Sequence, residues 1–149
     1  MAQFHNIFCA SDTPLATAEI AAWARETWYG DGAPSFDMAF DDRPAWDRFE
    51  VGLPGVGRPL VFLHDTDPAV VSMHVAEAIE EAASTLPPSL VSRLRNTRQI
   101  IGIELMPEAL TDDAWELLDA VQSLIATKLD GILLTDDGVY DAQLRPIAS

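Results

Sequence analysis

Two histidines and two aspartates form the most chemically suggestive group in the sequence. His64 ends a predicted strand and is followed by Asp65 and Asp67, and His74 lies on the next predicted helix. A strand end and the following helix could bring these side chains together, and imidazole with carboxylate can hold a divalent metal or move a proton. The structural alternative is that Asp67 caps the helix, Asp65 belongs to the turn and His74 lies on the polar flank of its helix.

The remaining candidates for chemistry have simpler structural explanations. Cys9 could be a nucleophile beside a histidine, but a single cysteine between Phe8 and Ala10 is typical of a small core residue. Gly52, Gly55 and Gly57 precede a predicted strand, not a helix whose first turn could bind phosphate, which indicates turns. No sequence motif of a known catalytic or zinc site is present. We therefore expect no cofactor, no metal and no enzymatic activity.

The only basic cluster consists of Arg93, Arg95 and Arg98. Such a cluster could bind an anion or contact nucleic acid. The chain carries 24 acidic and nine basic residues, giving a net charge of −15, which opposes nucleic acid binding. These arginines are therefore expected to pair with acids of the protein itself.

The acidity of the chain also limits its partners. A surface of this charge repels nucleic acids and anionic membranes and attracts cationic partners over about 8 Å at physiological salt. The alternative is that the acidity serves only solubility. With 48% apolar residues in 149, the chain can bury a core, and we expect one domain spanning residues 1–149.

Cysteine content and hydropathy bear on the compartment. Cys9 is the only cysteine, so an internal disulfide is impossible, which fits the cytoplasm. The first residues, Met1 to His5, do not show a basic segment followed by a long apolar run, so we expect no secretory signal. The apolar stretches are shorter than the ~20 residues that span a bilayer, so we expect no membrane partner.

Hydrophobic periodicity predicts the elements that would position these residues. In the first part of the chain, Thr13 is predicted to cap a helix with Pro14 in its first turn. Strands are predicted at residues 4–10, 35–40, 46–53 and 59–64, and the helix runs to Tyr29.

The second part of the chain carries clearer boundaries. Asp67 with Pro68 starts one helix and Thr111 caps another, which Gly131 ends. Residues 89–94 predict a short helical turn and residues 98–106 a strand. The closing hairpin is predicted to turn through the three residues Asp136-Asp137-Gly138. This order predicts an α+β fold, with an antiparallel or mixed sheet, helices mainly on one face, and a ferredoxin-like core with additions.

Acidic and aromatic residues cluster near element ends, and folding alone does not explain them. Aromatic anchors surrounded by charge are typical of protein interfaces. The alternative is that the aromatic residues, which include Trp115, complete the core. The predicted partner-binding residues are Trp28, Tyr29, Asp31, Asp37, Asp41, Asp42, Trp46, Asp47, Glu77, Glu80 and Glu81.

The end of the chain has a helix–glycine–strand–turn–strand pattern, Lys128-Leu129-Asp130-Gly131-Ile132-Leu133-Leu134 followed by Asp136-Asp137-Gly138-Val139-Tyr140-Asp141. In this pattern, and in its small size and acidity, the chain resembles bacterial immunity proteins. The pattern covers about a tenth of the chain, and no functional residue is carried over.

The resemblance implies a non-enzymatic antitoxin that neutralises a basic toxin, for example a nuclease, by direct binding, since acidic inhibitors associate fast with basic partners. The rivals are a small enzyme using His64, Asp65, Asp67 and His74, and a homodimeric structural domain.

Overall fold

The computed structural model describes residues 1–36, 46–82 and 85–148. Within these residues there are four α-helices and one sheet of eight strands, all paired antiparallel. The helices are α1 (Thr17–Thr27), α2 (Pro68–Glu81), α3 (Pro88–Arg95) and α4 (Asp112–Leu129). The strands are β1 (Gln3–Cys9), β2 (Ser35–Phe36), β3 (Arg48–Gly52), β4 (Leu60–Asp65), β5 (Gln99–Leu105), β6 (Gly131–Thr135), β7 (Gly138–Tyr140) and β8 (Pro146–Ala148).

The strand order confirms the predicted α+β class. Across the sheet the strands run β2-β3-β4-β5-β1-β6-β7-β8. Its centre, β4-β5-β1-β6, has the strand order of a ferredoxin-like core. Helix α4 connects β5 to β6, which lies across β1, and β1-α1 leads through β2 and β3 to β4, which lies across β5. The additions are the outer strands and the helices α2 and α3, which lie in the connection between β4 and β5.

Helices cover both faces of the sheet, whereas the sequence predicted them mainly on one. Helices α1 and α4 pack on what we call the first face, around Ile7, Phe62 and Ile101. Helices α2 and α3 pack on the second face, around Phe8 and Ile100. The strands β1 and β5 bury apolar residues on both sides, and a sheet buried in this way needs cover on each face.

Helix starts follow local chemistry where a cap is present. The Asp67 carboxylate accepts a hydrogen bond from the Ala69 N–H at 2.9 Å, and the Thr111 hydroxyl accepts one from the Ala114 N–H at 3.2 Å. Both predicted caps are therefore confirmed. The predicted start of α1 at Thr13 is wrong. The backbone carbonyls of Ser11 and Thr13 accept hydrogen bonds from the Gln99 amide, and α1 begins only at Thr17, after Ala16, whose backbone is extended.

Two predicted turns differ from the structure in detail. Helix α4 ends at Leu129. Its C-cap residue, Asp130, itself takes the left-handed conformation with φ 51°, and Gly131 is already the first residue of β6. In the closing hairpin Thr135 pairs with Gly138, so the turn has two residues, Asp136 and Asp137, instead of the predicted three. Strand β8 and the 3-10 turn Pro107–Ala109 were not predicted from sequence.

Candidate functional site

A row of four side-chain positions crosses the middle of the second face. Backbone pairing aligns Leu63 of β4 with Gly102 of β5, Gly102 with Asn6 of β1, and Asn6 with Leu134 of β6. Residues paired in this way point to the same face of an antiparallel sheet. In order across the sheet, the row consists of an apolar side chain (Leu63), a glycine without a side chain, the amide of Asn6 and a second apolar side chain (Leu134).

This row is the floor of a groove of about 720 Å³, which we call the acidic groove. Helix α2 forms one wall through His74, Glu77 and Glu81, and the β6–β7 turn lies on the other side. The helices cover Phe8 and Ile100 but leave Phe4 of the same sheet face 47% exposed. The acidic groove therefore exists because α2 and α3 cover only part of the second face.

The rim of the acidic groove is negatively charged. Among the described residues, no lysine or arginine lines it, while five acids do: Asp65, Glu77, Glu81, Asp136 and Asp137. The floor is mostly apolar, being formed by Phe4, Phe8, Leu63, Ile100 and Leu134 around Asn6 and Gly102. An apolar floor strengthens the field of the surrounding carboxylates because it lowers the local dielectric constant. The arrangement suits a ligand that combines positive charge with apolar surface.

His74 connects two of the rim acids. Its Nε2 lies 3.7 Å from the Asp65 carboxylate and its Nδ1 lies 3.7 Å from the Glu77 carboxylate. Both acids are well exposed, so neither contact is a strong ion pair. His74 thus lies between two of the five rim carboxylates.

The structure does not assemble the predicted His64–Asp65–Asp67–His74 group. His64 is buried on the first face, where its ring lies 4.6 Å from that of Trp46 and its Nε2 lies 2.8 Å from the Gln99 amide oxygen. Asp65 and His74 face the acidic groove on the opposite side, and Asp67 caps α2. Because adjacent strand residues alternate faces, His64 and Asp65 point in opposite directions. No group of three or more metal-ligating side chains occurs in the part of the chain that the structure describes.

The His64 tautomer follows from its neighbours. The Gln99 amide nitrogen donates hydrogen bonds to the Ser11 and Thr13 carbonyls, so the amide oxygen faces His64 and accepts a hydrogen bond from its Nε2–H group. The His64 Nδ1 has no hydrogen-bond partner among the described residues. His64 thus ties β4 to β5 and to the segment before α1, and it has a structural part in the fold.

The predicted partner-binding residues fall in separate places. Glu77 and Glu81 line the acidic groove, whereas Glu80 lines a smaller cavity of about 410 Å³ between α2 and the end of α3. Tyr29 is 78% exposed and Asp31 is exposed. Trp28, Trp46 and Trp115 pack against the first-face core.

The tryptophans also make local bonds. The Trp46 Nε1 donates to the Leu15 carbonyl at 2.7 Å, and the Trp28 Nε1 donates to the Asp31 carbonyl. Asp47 is exposed next to β3. Asp37, Asp41 and Asp42, with the predicted strand end at residues 37–40, lie outside the described residues.

The other residues considered for chemistry serve structural purposes. Cys9 is fully buried, and desolvation, with a smaller contribution from the charge of Asp130, raises the pKa of its thiol from 9.0 to about 12. A thiol so protonated is a poor nucleophile. Gly55, with φ 79°, follows Pro54 in a turn closed by a hydrogen bond from the Val56 N–H to the Leu53 carbonyl.

Two of the three clustered arginines pair with acids of the protein. Arg93 contacts Asp130 at 3.1 Å, and Arg98 lies 3.8 Å from Asp12. Arg95 lines the smaller cavity beside Glu80. The three arginines thus have different surroundings: two contact acids of the protein, and the third lines the smaller cavity.

The floor of the acidic groove consists of residues that no sequence motif singles out. They include Phe4, Asn6, Leu63 and Gly102, which lie in three different predicted strands, so the sequence does not mark them as a group. A signal was present, however: Gly102 interrupts the apolar run of β5, and a glycine inside a strand marks a close approach or an open space.

Comparison with known proteins identifies no relative of this chain. No protein-family model, curated protein sequence or solved structure matches this chain. Among the described residues, no helix has the length and apolar character needed to cross a membrane.

Proposed function

We propose that this chain is a non-enzymatic binding protein that neutralises a basic protein by direct contact, as immunity proteins and antitoxins do. The single observation that carries the proposal is the acidic groove, whose apolar floor lies within a rim of five carboxylates. Within the proposal, the partner is a basic toxin such as a nuclease and the encounter takes place in the bacterial cytoplasm.

Charge supports this choice of partner. A net charge of −15 raises the association rate with a cationic protein and opposes binding to nucleic acids or anionic membranes. Nucleases hold phosphates with basic surfaces, so an acidic inhibitor is complementary to the face that must be blocked.

Shape supports a protein partner over a small polar ligand. The volume of about 720 Å³ accommodates several side chains, and the exposed Phe4 ring offers apolar contact within the charged rim. Apolar contact surrounded by polar groups is the usual anatomy of a protein interface. The carboxylates would orient the partner and raise its association rate, and the apolar floor would provide the surface that is buried in the complex.

The rival functions have less support from the geometry. An enzyme using His64, Asp65, Asp67 and His74 needs these side chains on one side of the sheet, and they lie on two. A homodimer would bring two chains of charge −15 together, which costs electrostatic free energy.

The test is affinity capture from the native host, followed by binding measurements with the purified partner. The groove variant carries Glu77→Gln and Glu81→Gln. A matched control variant carries Glu26→Gln and Glu116→Gln, which changes the net charge equally at exposed positions of α1 and α4, on the first face.

We expect wild type and control to bind one basic protein at low salt, to lose affinity at high salt, and to inhibit that protein's activity. The groove variant should bind at least about tenfold more weakly, because two rim charges that would contact the partner are lost. Equal weakening in the two variants would show that only net charge matters. Equal binding by all three proteins would remove the acidic groove from the proposal.

A further inference from the structure

The helices among the described residues leave part of the second face of the sheet uncovered. Phe4 is 47% exposed there, and Leu63 and Leu134 are partly exposed, although all three are large apolar side chains in strands. Helices α2 and α3 cover the neighbouring side chains of Phe8 and Ile100, which are at most 5% exposed. An apolar sheet face is normally buried against a second layer of structure. On this face that layer is incomplete beside α2, at the floor of the acidic groove.

The floor offers side chains to a partner, and its backbone is already paired. Each of the four residues in the row across the floor is paired with a strand on both of its sides. A partner cannot extend the sheet here, as peptides do at a free sheet edge. A partner segment lying extended on the floor would place its own backbone N–H and C=O groups against apolar side chains, which costs free energy. A helix satisfies its backbone groups internally, so a helix is the conformation that suits this floor.

The wall formed by α2 also suits a neighbouring helix. Ala78 and Ala82 lie one helical turn apart and line the groove, and both are only partly buried. The distance between two packed helices depends on the side chains at their contact, so alanines allow a second helix to approach α2 closely. Glu77 and Glu81 line the same wall, where they can contact basic side chains on the flank of that helix.

The distribution of charge specifies the side chains of such a helix. Carboxylates lie on both sides of the floor: Asp65, Glu77 and Glu81 on the α2 side, and Asp136 and Asp137 in the β6–β7 turn. A helix with an apolar stripe toward the floor and basic residues on both flanks is complementary to this arrangement. A helix from a second copy of this chain matches less well, because each copy carries a net charge of −15.

We propose that a basic amphipathic helix of the partner packs on the uncovered part of the second face, beside α2, and completes the helical layer there. Its apolar stripe covers the side chains of Phe4, Leu63 and Leu134, and its basic residues contact the carboxylates on both sides of the groove. This inference rests on the proposed function, since it names the element by which the basic partner enters the acidic groove.

The test uses the isotope-labelled full-length protein and a capped peptide of about 14 residues, which forms about four helical turns. The peptide has leucines at the spacing of one helical face and lysines on both flanks. A comparison peptide contains the same amino acids in an order without helical periodicity, so its charge is the same. NMR titration gives the affinity and the location of binding, and isotope labels in the peptide report its bound conformation.

Two pairs of protein variants locate the peptide without changing the charge of the protein. Phe4→Ala removes an apolar side chain from the floor, and its control Met73→Ala removes one that is 51% exposed on α2 and lies outside the groove. Ala78→Met enlarges the wall toward the proposed helix, and its control Ala76→Met places the same side chain on α2 beside the smaller cavity. Because Phe4 is well exposed, Phe4→Ala serves if Ala78→Met does not fold.

We expect saturable shifts of the signals of Phe4, Leu63 and Leu134, and helical Cα shifts in the bound peptide. The comparison peptide should bind at least about tenfold more weakly, because it cannot direct an apolar stripe and two basic flanks at the same time. Phe4→Ala and Ala78→Met should each weaken binding of the helical peptide about fivefold or more, and the two control variants should leave it unchanged.

An extended bound peptide, equal affinity for the two peptides, or equal effects of the groove and control variants would overturn the inference. A mass that doubles with concentration, with shifts at the floor in the absence of peptide, would do the same, because a second copy would then occupy the floor. These failures are distinct from failure of the proposed function. Capture of a basic partner that depends on Glu77 and Glu81 but presents a loop to the groove would overturn the helix and leave the proposed function standing.

Discussion

The two faces of the sheet differ in how completely their helices cover them. On the first face, α1 and α4 enclose a continuous core in which Ile7, Phe49, Phe62, Ile101 and Ile103 are at most 1% exposed. On the second face, α2 and α3 enclose a smaller core and leave the acidic groove beside it. The first face therefore contains most of the buried core, and the second face offers the acidic groove on which the proposed function relies.

Thiol reactivity gives the largest expected contrast between the faces. Cys9 points to the first face and its pKa is raised to about 12, whereas Asn6 on the same strand points into the acidic groove. At pH 8 we expect Cys9 in the folded protein to react at least about a thousandfold more slowly than a cysteine at position 6, introduced as Asn6→Cys in a Cys9→Ala background. Timed alkylation followed by mass spectrometry measures both rates, and comparable rates would contradict the sealed first face.

The same thiol makes a prediction about pH. The folded protein holds the Cys9 proton up to a pKa of about 12, while the unfolded chain releases it near 9.0. Below pH 9 the thiol is protonated in both the folded and the unfolded state, so the free energy of unfolding keeps its full value. As the pH rises from 9 toward about 12, only the unfolded chain loses this proton, so the free energy of unfolding falls. Urea denaturation across this range should show a smaller loss of stability for Cys9→Ala than for wild type.

Truncation of apolar side chains on β1 compares the two cores directly. Ile7→Ala creates a cavity at a position that is 0% exposed, and we expect it to lower the free energy of unfolding by about 2–5 kcal/mol. Phe4→Ala, on the other face of the same strand and 47% exposed in the wild type, should cost less than about 1 kcal/mol. Equilibrium unfolding in urea provides both values, and similar losses would show that the second face is equally important for stability.

Two glycines in strands, Gly131 and Gly102, differ in the contacts that an added Cβ atom would make on the two faces. A Cβ at Gly131 would lie 2.7 Å from the Ile7 Cγ2 atom and 3.4 Å from the Ala126 Cα atom, so Gly131→Ala should cost about 1–3 kcal/mol. A Cβ at Gly102 would lie 2.9 Å from the Asn6 Oδ1 atom, at the end of a side chain that can move, and 4.0 Å from the Leu63 Cβ atom. Gly102→Ala should therefore change the free energy of unfolding by less than about 0.5 kcal/mol. Thermal unfolding of the two variants side by side is the measurement. A large loss for Gly102→Ala would mean that the Asn6 side chain cannot move aside and that the fold needs this glycine.

Helix caps should give the smallest differences. Thr111→Ala and Asp67→Ala each remove a hydrogen bond to a first-turn N–H group and should each cost about 1 kcal/mol. Asp67→Asn retains an accepting oxygen and should stay within about 0.5 kcal/mol of wild type. If Asp67→Asn is as damaging as Asp67→Ala, then the charge of Asp67, and not its capping, stabilises the start of α2.

The local sequence determined where two helices begin and which strands are buried. Asp67 with Pro68 started α2, Thr111 capped α4, and the apolar runs of β4 and β5 indicated buried strands. The class of fold followed from the order of these elements. Such features could be predicted because a cap, a breaker or a periodic stripe acts within about one helical turn of its own position.

Only the tertiary structure decided which residues meet. The Gln99 amide binds the carbonyls of Ser11 and Thr13, and α1 begins only at Thr17. The alternation of β4 sends His64 and Asp65 to opposite faces. The acidic groove depends on the pairing register that sets Gly102 between Leu63 and Asn6, and on two helices that leave part of the second face uncovered. The sequence by itself determined the acidity, the starts of α2 and α4, and the buried strands β4 and β5. The site was decided by long-range pairing, because register and coverage are properties of the assembled sheet and of no single segment.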